Sequence, residues 1–319
     1  MRAFIFPGQG SQAVGMGRAL ADASAAARDV FGEVDEALGQ GLLRLMGDGP
    51  ADELQLTENA QPAIMANSIA TLRVLERDAG VSLADKADYV AGHSLGEYSA
   101  LCAADALDLS TTARLLKLRG QAMQRAVAVG EGAMAALLGA DVELAGAIAG
   151  AAIDQLTAEG GPALVCTVAN DNDPGQVVIS GHRAAVERAV SLAKGFGARR
   201  GVLLPVSAPF HCSLMEPAAR EMEAALADAD LRGPLVPVYV NVDAAPVADP
   251  VTIRRLLVAQ VTGMVRWRES IERMVAAGVT DFVEFGGKVL SPMVKRIVPD
   301  ANAVSVVSMD DLDALVSRI

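Results

Sequence analysis

Gly92-His93-Ser94-Leu95-Gly96 sets a serine between two glycines, after the apolar run Tyr89 to Ala91 and before a stretch, Glu97 to Cys102, that can begin a helix. This is G-x-S-x-G in a strand–turn–helix context, an arrangement that pushes a serine hydroxyl out of a strained turn. So tight a turn needs small flanking residues, and the helix that follows offers free N–H groups to a developing oxyanion. Short glycine and serine patterns also recur by chance; the flanking elements are what favour a nucleophile here.

A serine hydroxyl is a weak nucleophile near neutrality and needs a base, usually histidine. The chain has three. His93 adjoins the serine, where successive side chains diverge, and is expected to support the turn. His182 follows Gly181 at a helix start, where a solvated or capping role is expected. His211 lies in PVSAPFHCSLM, where Pro209 interrupts the chain after an apolar strand, and elimination leaves it as the candidate base, with a structural histidine as the alternative. Asp171 or Asp173 would complete a triad, but both fall in ANDNDPGQ, which reads as a turn rich in side-chain-to-backbone bonds. A Ser–His dyad whose imidazole is oriented by a backbone carbonyl is equally compatible. No two histidines share a helix turn, and Cys102, Cys166 and Cys212 have no ligand spacing, so no metal site is expected.

Arg119 falls within the helical apolar stripe Leu115, Leu116, Ala122, Met123 and Ala126. Burying a guanidinium is costly unless an anion meets it. A structural salt bridge or a snorkelling side chain is one outcome. The other is a bidentate clamp on a substrate carboxylate, which would make the substrate an acyl group bearing its own carboxylate.

These residues must be positioned by a larger frame. Short β-rich runs (Ala3 to Phe6, Tyr89 to Ala91, Val236 to Val240) alternate with helical spacing (Pro62 to Leu75, Ser110 to Val127), which predicts an α/β unit with a mostly parallel sheet. Between Gly132 and Pro205 the order changes. Strand 133–138, helix 142–156, strands 163–168 and 176–179, helix 184–194 and strand 199–204 give βαββαβ, the ferredoxin-like signature. The expected division is a large α/β subdomain, residues 1–130 and 206–319, with a small ferredoxin-like subdomain, 131–205, inserted into it.

FIFPGQGSQAVGMG also meets the letters of a dinucleotide fingerprint, but Pro7 interrupts its strand–turn junction and the region twenty residues on reads as a helix rather than a strand ending in an acid. The alternative is that this loop brings a backbone N–H and the Gln9 side chain to Ser94 to complete an oxyanion hole. The 319 residues carry a net charge of −12 with 52% hydrophobic side chains, which disfavours nucleic acid and anionic membranes as partners. The apolar run near the N-terminus is too short for a signal peptide, and no segment approaches the about 18 apolar residues of a membrane span. With three cysteines and no paired spacing, a cytoplasmic setting is expected.

Taken together, FPGQGSQAVGMG, TENAQPAI, GHSLGEYSAL, RLLKLRGQAM, GEGAMAALLG, NDPGQVVISG, PVSAPFHCSLM, QVTGMVRW and EFGGKVLSPMVKRI resemble, in order and over nearly the whole chain, the malonyl-CoA:acyl-carrier-protein transacylases of type II fatty acid synthesis. The resemblance implies that the large subdomain is α/β-hydrolase-like. It implies a ping-pong transfer of malonyl from coenzyme A, through Ser94, to the phosphopantetheine thiol of holo acyl carrier protein, with His211 as base and Arg119 on the malonyl carboxylate. It also implies an oxyanion hole from the N–H groups of Gln9 and Leu95, a histidine-orienting carbonyl at Gln260 and hence a dyad, and no cofactor, malonyl-CoA being substrate. Phe210 fits a preference for malonyl over methylmalonyl, and Gln61 joins the substrate-binding candidates. Carrier contacts are expected among Arg183, Lys194, Arg199, Arg200, Lys288, Lys295 and Arg296, and a monomer is expected. A malonyltransferase of a malonate decarboxylase or polyketide pathway would look much the same. A serine hydrolase or thioesterase would share the elbow and base but leave position 119 apolar.

Overall fold

The computed structural model describes residues 1–319, and its strands fall into two sheets. In chain order the strands are β1 (Arg2–Phe6), β2 (Tyr89–Gly92), β3 (Gly132–Leu138), β4 (Cys166–Asp173), β5 (Gln176–His182), β6 (Arg200–Leu203), β7 (Val238–Val240), β8 (Ala245–Val247), β9 (Asp281–Phe285) and β10 (Asn302–Val306). The larger sheet runs β10-β9-β1-β2-β7-β8, parallel throughout except for β8, which pairs antiparallel with β7. Strands buried on both faces read as unbroken apolar runs, and Ala3, Phe4, Ile5 and Phe6 are all fully buried.

Because β1, β2 and β7 are parallel neighbours, the segments after Phe6, Gly92 and Val240 emerge at one sheet end, where open α/β sheets bind ligands. Two helices flank that end. Thr57–Asp78 and Leu109–Ala126 cross closely at Gly120, where a Cβ would lie 2.6 Å from Glu58 Cα. That approach brings Arg119 against Gln61.

The second sheet is antiparallel with order β4-β5-β3-β6. Its alternation sends Ala133, Ala135 and Leu137 toward the helices Val142–Ala158 and Arg183–Leu192, while Met134 and Ala136 join the main core. One element differs from the sequence expectation. The segment expected to turn at ANDNDPGQ is strand through Asp173, with two register irregularities, and only Pro174 and Gly175 turn. Polar residues there suggested a loop, but tertiary partners on both faces hold them extended. Also unforeseen were the short strands β8 and β10. No helix is long and apolar enough to cross a membrane.

Candidate active site

Ser94 occupies the turn between β2 and the helix Gly96–Ala103 with φ +55°, a left-handed conformation that costs a non-glycine residue about 1–3 kcal/mol. Its flanks leave no alternative: a Cβ on Gly92 would lie 1.9 Å from Gly96 carbonyl carbon, and one on Gly96 would lie 2.2 Å from Phe6 O. Asn241, at the end of β7, fastens the turn. Its Oδ1 accepts the Ser94 N–H at 2.7 Å and its Nδ2 donates to Gly92 O at 2.7 Å.

His211 also has positive φ, +58°, and its Nε2 lies 2.8 Å from Ser94 Oγ. Its Nδ1 faces two carbonyls, Gln260 O at 2.8 Å and Gly263 O at 3.1 Å. Since a carbonyl only accepts, Nδ1 carries the proton and Nε2 presents its lone pair to the serine hydroxyl. Burial, reinforced by the charge of Arg119, lowers the imidazole pKa to about 3, so His211 is neutral at physiological pH. Neither Asp171 nor Asp173 reaches it; they pair with Arg268 and Arg296.

Arg119 is 1% exposed. Its Nη1 donates to Gln61 Oε1 at 2.9 Å, and its Nη2 donates to Gln260 Oε1 at 2.9 Å and to Ser94 Oγ at 3.1 Å. The guanidinium also lies 5.7 Å from the centroid of the Tyr98 ring. All its hydrogen-bond acceptors are neutral, so the buried cation has no carboxylate bound directly to it and the site favours an anion.

Gln9, Gln61, Ser94, Leu95, Arg119, Phe210 and His211 line one cavity of about 360 Å³, closed by Met123, Met134, Val178 and Leu204. The volume is within the about 300–1,000 Å³ typical of small-molecule clefts. No acceptor within the chain takes the backbone N–H of Gln9 or of Leu95, so both donors are free for an oxygen in the cavity. Gln260 stands behind the wall, linked to the site by its backbone carbonyl and its amide.

Three contributors were not singled out from the sequence. Glu97, fully buried, accepts the Asn241 N–H at 2.9 Å and Gln260 Nε2 at 3.0 Å through Oε2. Burial raises its pKa to about 7. Asn241 is the second, and Asn172, whose Oδ1 lies 2.8 Å from His93 Nε2, is the third. The available signals were a carboxylate opening the apolar helix GEYSALCA and an asparagine closing the apolar strand VYV. His93 also lines the cavity, tied to Asn172 beside the turn, with its ring 5.8 Å from that of Trp267.

His182 differs from expectation: its Nδ1 accepts the Val165 N–H at 2.8 Å instead of capping the helix. Among the cations proposed for carrier contact, Arg296 and Arg183 are engaged with Asp173 and Glu187. Lys194, Arg199, Arg200 and Lys288 are exposed, as is Lys295, which donates to Ala301 O. No three His, Cys, Asp or Glu side chains cluster as a metal site would require.

Residues 3–292 match the family model described as the acyl transferase domain. The chain is 42% identical to the malonyl CoA-acyl carrier protein transacylase of Bacillus subtilis over 318 residues, 99% of this chain and 96% of that one. Among solved structures, the acyl-carrier-protein-S-malonyltransferase of Bartonella henselae superposes with a TM-score of 0.94 at 51% identity, covering 99% of this chain and 98% of that one. A malonyl-transacylase in complex with its type II PKS acyl-carrier protein superposes with a TM-score of 0.93 at 38% identity, covering 100% and 99%.

Proposed function

The chain belongs to the malonyl-CoA:acyl-carrier-protein transacylases of the acyl transferase family, and from that membership we propose that its site moves malonyl from coenzyme A to the phosphopantetheine thiol of acyl carrier protein in type II fatty acid biosynthesis. The observation that carries this reading is a buried guanidinium with only neutral partners, 3.1 Å from the nucleophile.

His211 Nε2 removes the hydroxyl proton as Ser94 Oγ attacks the thioester carbonyl. The carbonyl oxygen becomes an oxyanion held by the N–H groups of Gln9 and Leu95. As the tetrahedral species collapses, the C–S bond breaks and His211 returns its proton to the departing thiolate. The malonyl ester on Ser94 carries a carboxylate. Two guanidinium hydrogens suit its oxygens: the Nη1 hydrogen not used by Gln61 and the Nη2 hydrogen now on Ser94 Oγ. Gln61 and Gln260 hold the fork in plane. In the second half-reaction the carrier thiol gives its proton to His211 and attacks the ester carbonyl, and Ser94 Oγ leaves with that proton.

Phe210 lines the cavity next to His211, and we place it against the malonyl methylene, where an α-methyl branch would collide. Exposed Lys194, Arg199, Arg200 and Lys288 are the cations available to an acidic carrier. We read the chain as an α/β-hydrolase-like body, residues 1–130 and 206–319, with an inserted ferredoxin-like unit, 131–205. The order β4-β5-β3-β6 and the two intervening helices support that division. The setting we expect is the cytoplasm, and the protein a monomer.

The deciding experiment mixes the protein with malonyl-CoA without carrier. A malonyl adduct mapping to Ser94 by intact and peptide mass is expected; its absence would overturn the assignment, and malonate release without transfer to carrier would favour a hydrolase.

A further inference from the structure

The segment Asn170-Asp171-Asn172-Asp173 is two-sided. Asn170 and Asn172 line the cavity over Ser94, and Asn172 holds His93. Asp171 and Asp173 turn the other way. Asp171 meets Arg268 at 2.9 Å and Asp173 meets Arg296 at 2.7 Å, with both carboxylate side chains only 4% exposed. Each ion pair joins the antiparallel sheet to a helix packed beside the parallel one, Trp267–Ala276 or Leu290–Ile297. Between them, the free edge of β4 is bonded to Val265: Asp171 N–H donates to Val265 O and Val265 N–H to Ala169 O, both at 2.9 Å.

Val265 lies two residues beyond Gly263, whose carbonyl faces His211 Nδ1, and two before Trp267, which packs on His93. Met293 and Leu290, on the helix that carries Arg296, line the cavity as well. The junction therefore touches the nucleophile's brace, the base's orienting segment and the cavity wall together.

We propose that Asp171 and Asp173 are positioning residues: through Arg268 and Arg296 they clamp the antiparallel sheet over Ser94, so that the acyl-serine is kept from water until a thiol arrives. The cavity has one wall from each sheet, so its tightness depends on how firmly the sheets are held together. Backbone bonds to Val265 set the register of the junction, and the two ion pairs draw it closed. Arg268 and Arg296 remain partly in solvent, so salt weakens their hold on the buried carboxylates, though less than it would weaken a fully exposed pair. This inference rests on the acyl-serine reading above.

The test loads the full-length enzyme with malonyl-CoA and measures two fates of the adduct, malonate release and transfer to pantetheine. In Asp171→Asn with Asp173→Asn, the release-to-transfer ratio is expected to rise roughly threefold to tenfold, the change that a barrier shift of about a kcal/mol produces. In the wild type the ratio should climb as salt is raised from about 0.05 to about 1 M, whereas the double variant should respond little. A general structural defect would lower both fates together and would not remove the salt response. Trp267 is the sole tryptophan, so its emission reports the same junction without any substrate. It should shift to the red in the double variant and in high salt. An unchanged ratio with unchanged Trp267 emission in a folded double variant overturns the proposal. If the double variant does not fold, a wild-type ratio and emission flat across the salt range overturn it instead. Absence of any adduct on wild type refutes the acyl-serine reading, and the Trp267 salt response then still decides whether the clamp exists.

Discussion

Arg119 Nη2 stands 3.1 Å from Ser94 Oγ while His211 Nε2 lies 2.8 Å from the same oxygen. The hydroxyl thus receives a hydrogen bond from a fixed cation and donates one to a neutral base. Under the proposed function, acylation of Ser94 would end its role as a donor and put a carboxylate within reach of the guanidinium. On that reading, the substrate's own charge supplies the direct anionic partner that Arg119 otherwise lacks.

Replacing Arg119 with Ala is expected to cost about 1.5–3 kcal/mol of malonyl transfer relative to acetyl transfer, the scale of a hydrogen bond to a charged group. Arg119→Lys should recover little of it, because an ammonium cannot present a planar fork. The ratio of kcat/KM for malonyl-CoA and acetyl-CoA measures this. Equal losses for both acyl groups would contradict the clamp.

The acidic limb of kcat/KM for acylation should fall well below pH 6.5, since burial and Arg119 lower His211 to about 3. In the malonyl-enzyme the carboxylate offsets Arg119, so the limb for deacylation by a thiol should move upward. An acetyl-enzyme should show no such movement. Rapid-mixing rates across pH for the two acyl groups make the comparison, and a limb near 6.5 for acylation would show that the imidazole is not held neutral by its surroundings. Linkage has the matching sign: the unfolded imidazole binds a proton near 6.5 and the folded one does not. Its contribution to stability is therefore lost as pH falls from about 6.5 toward 3.

Glu97 titrates in the opposite sense. Burial raises its folded pKa to about 7 from an ordinary 4.5, so its contribution is fully present below 4.5 and is lost as pH rises through 7. Glu97→Gln keeps an oxygen for Asn241 N–H and removes the titration. Urea unfolding at pH 5 and pH 8 should show a stability difference between those pH values that is altered by on the order of 3 kcal/mol in the variant, the variant gaining relative to wild type at the higher pH. A pH profile identical to wild type would mean that Glu97 is ionised throughout.

Asn241→Ala removes the acceptor of the Ser94 N–H and the donor to Gly92 O, each buried at the turn. The expected loss is about 1–3 kcal/mol for each group left unpaired, read from denaturant midpoints. With the left-handed backbone of Ser94 no longer fastened, single-turnover acylation should slow at least tenfold, a barrier change of about 1.4 kcal/mol. Full acylation rate in a destabilised variant would separate the turn's stability from its catalytic geometry.

Much of the frame was legible because burial imposes a period on the sequence. The continuous apolar run of β1 and the alternation of β3 follow from burial on both faces and from one sheet facing two different layers. Ser94 was legible through the glycines its turn requires, and Arg119 because a cation interrupts an apolar stripe. What local pattern could not convey was partnership across the chain. Asp171 and Asp173 have the composition of a turn, yet they pair with Val177 and Gln176 of β5, and Arg268, Arg296 and Val265, about a hundred residues away, take up their carboxylates and the outer edge of the strand. Asn241 and Glu97 follow the same logic: each is an ordinary polar residue until the sheet places it beside Ser94.

The oxygen that directs the imidazole belongs to the main chain at Gln260. A peptide carbonyl does not titrate near neutrality, so the hydrogen bond that orients His211 cannot be switched off by acid as one to a carboxylate could. Nor can an ordinary codon change delete it, since every amino acid brings the same carbonyl. One residue thus meets His211 through its main chain and Arg119 through its side chain, so the two contacts can be altered separately.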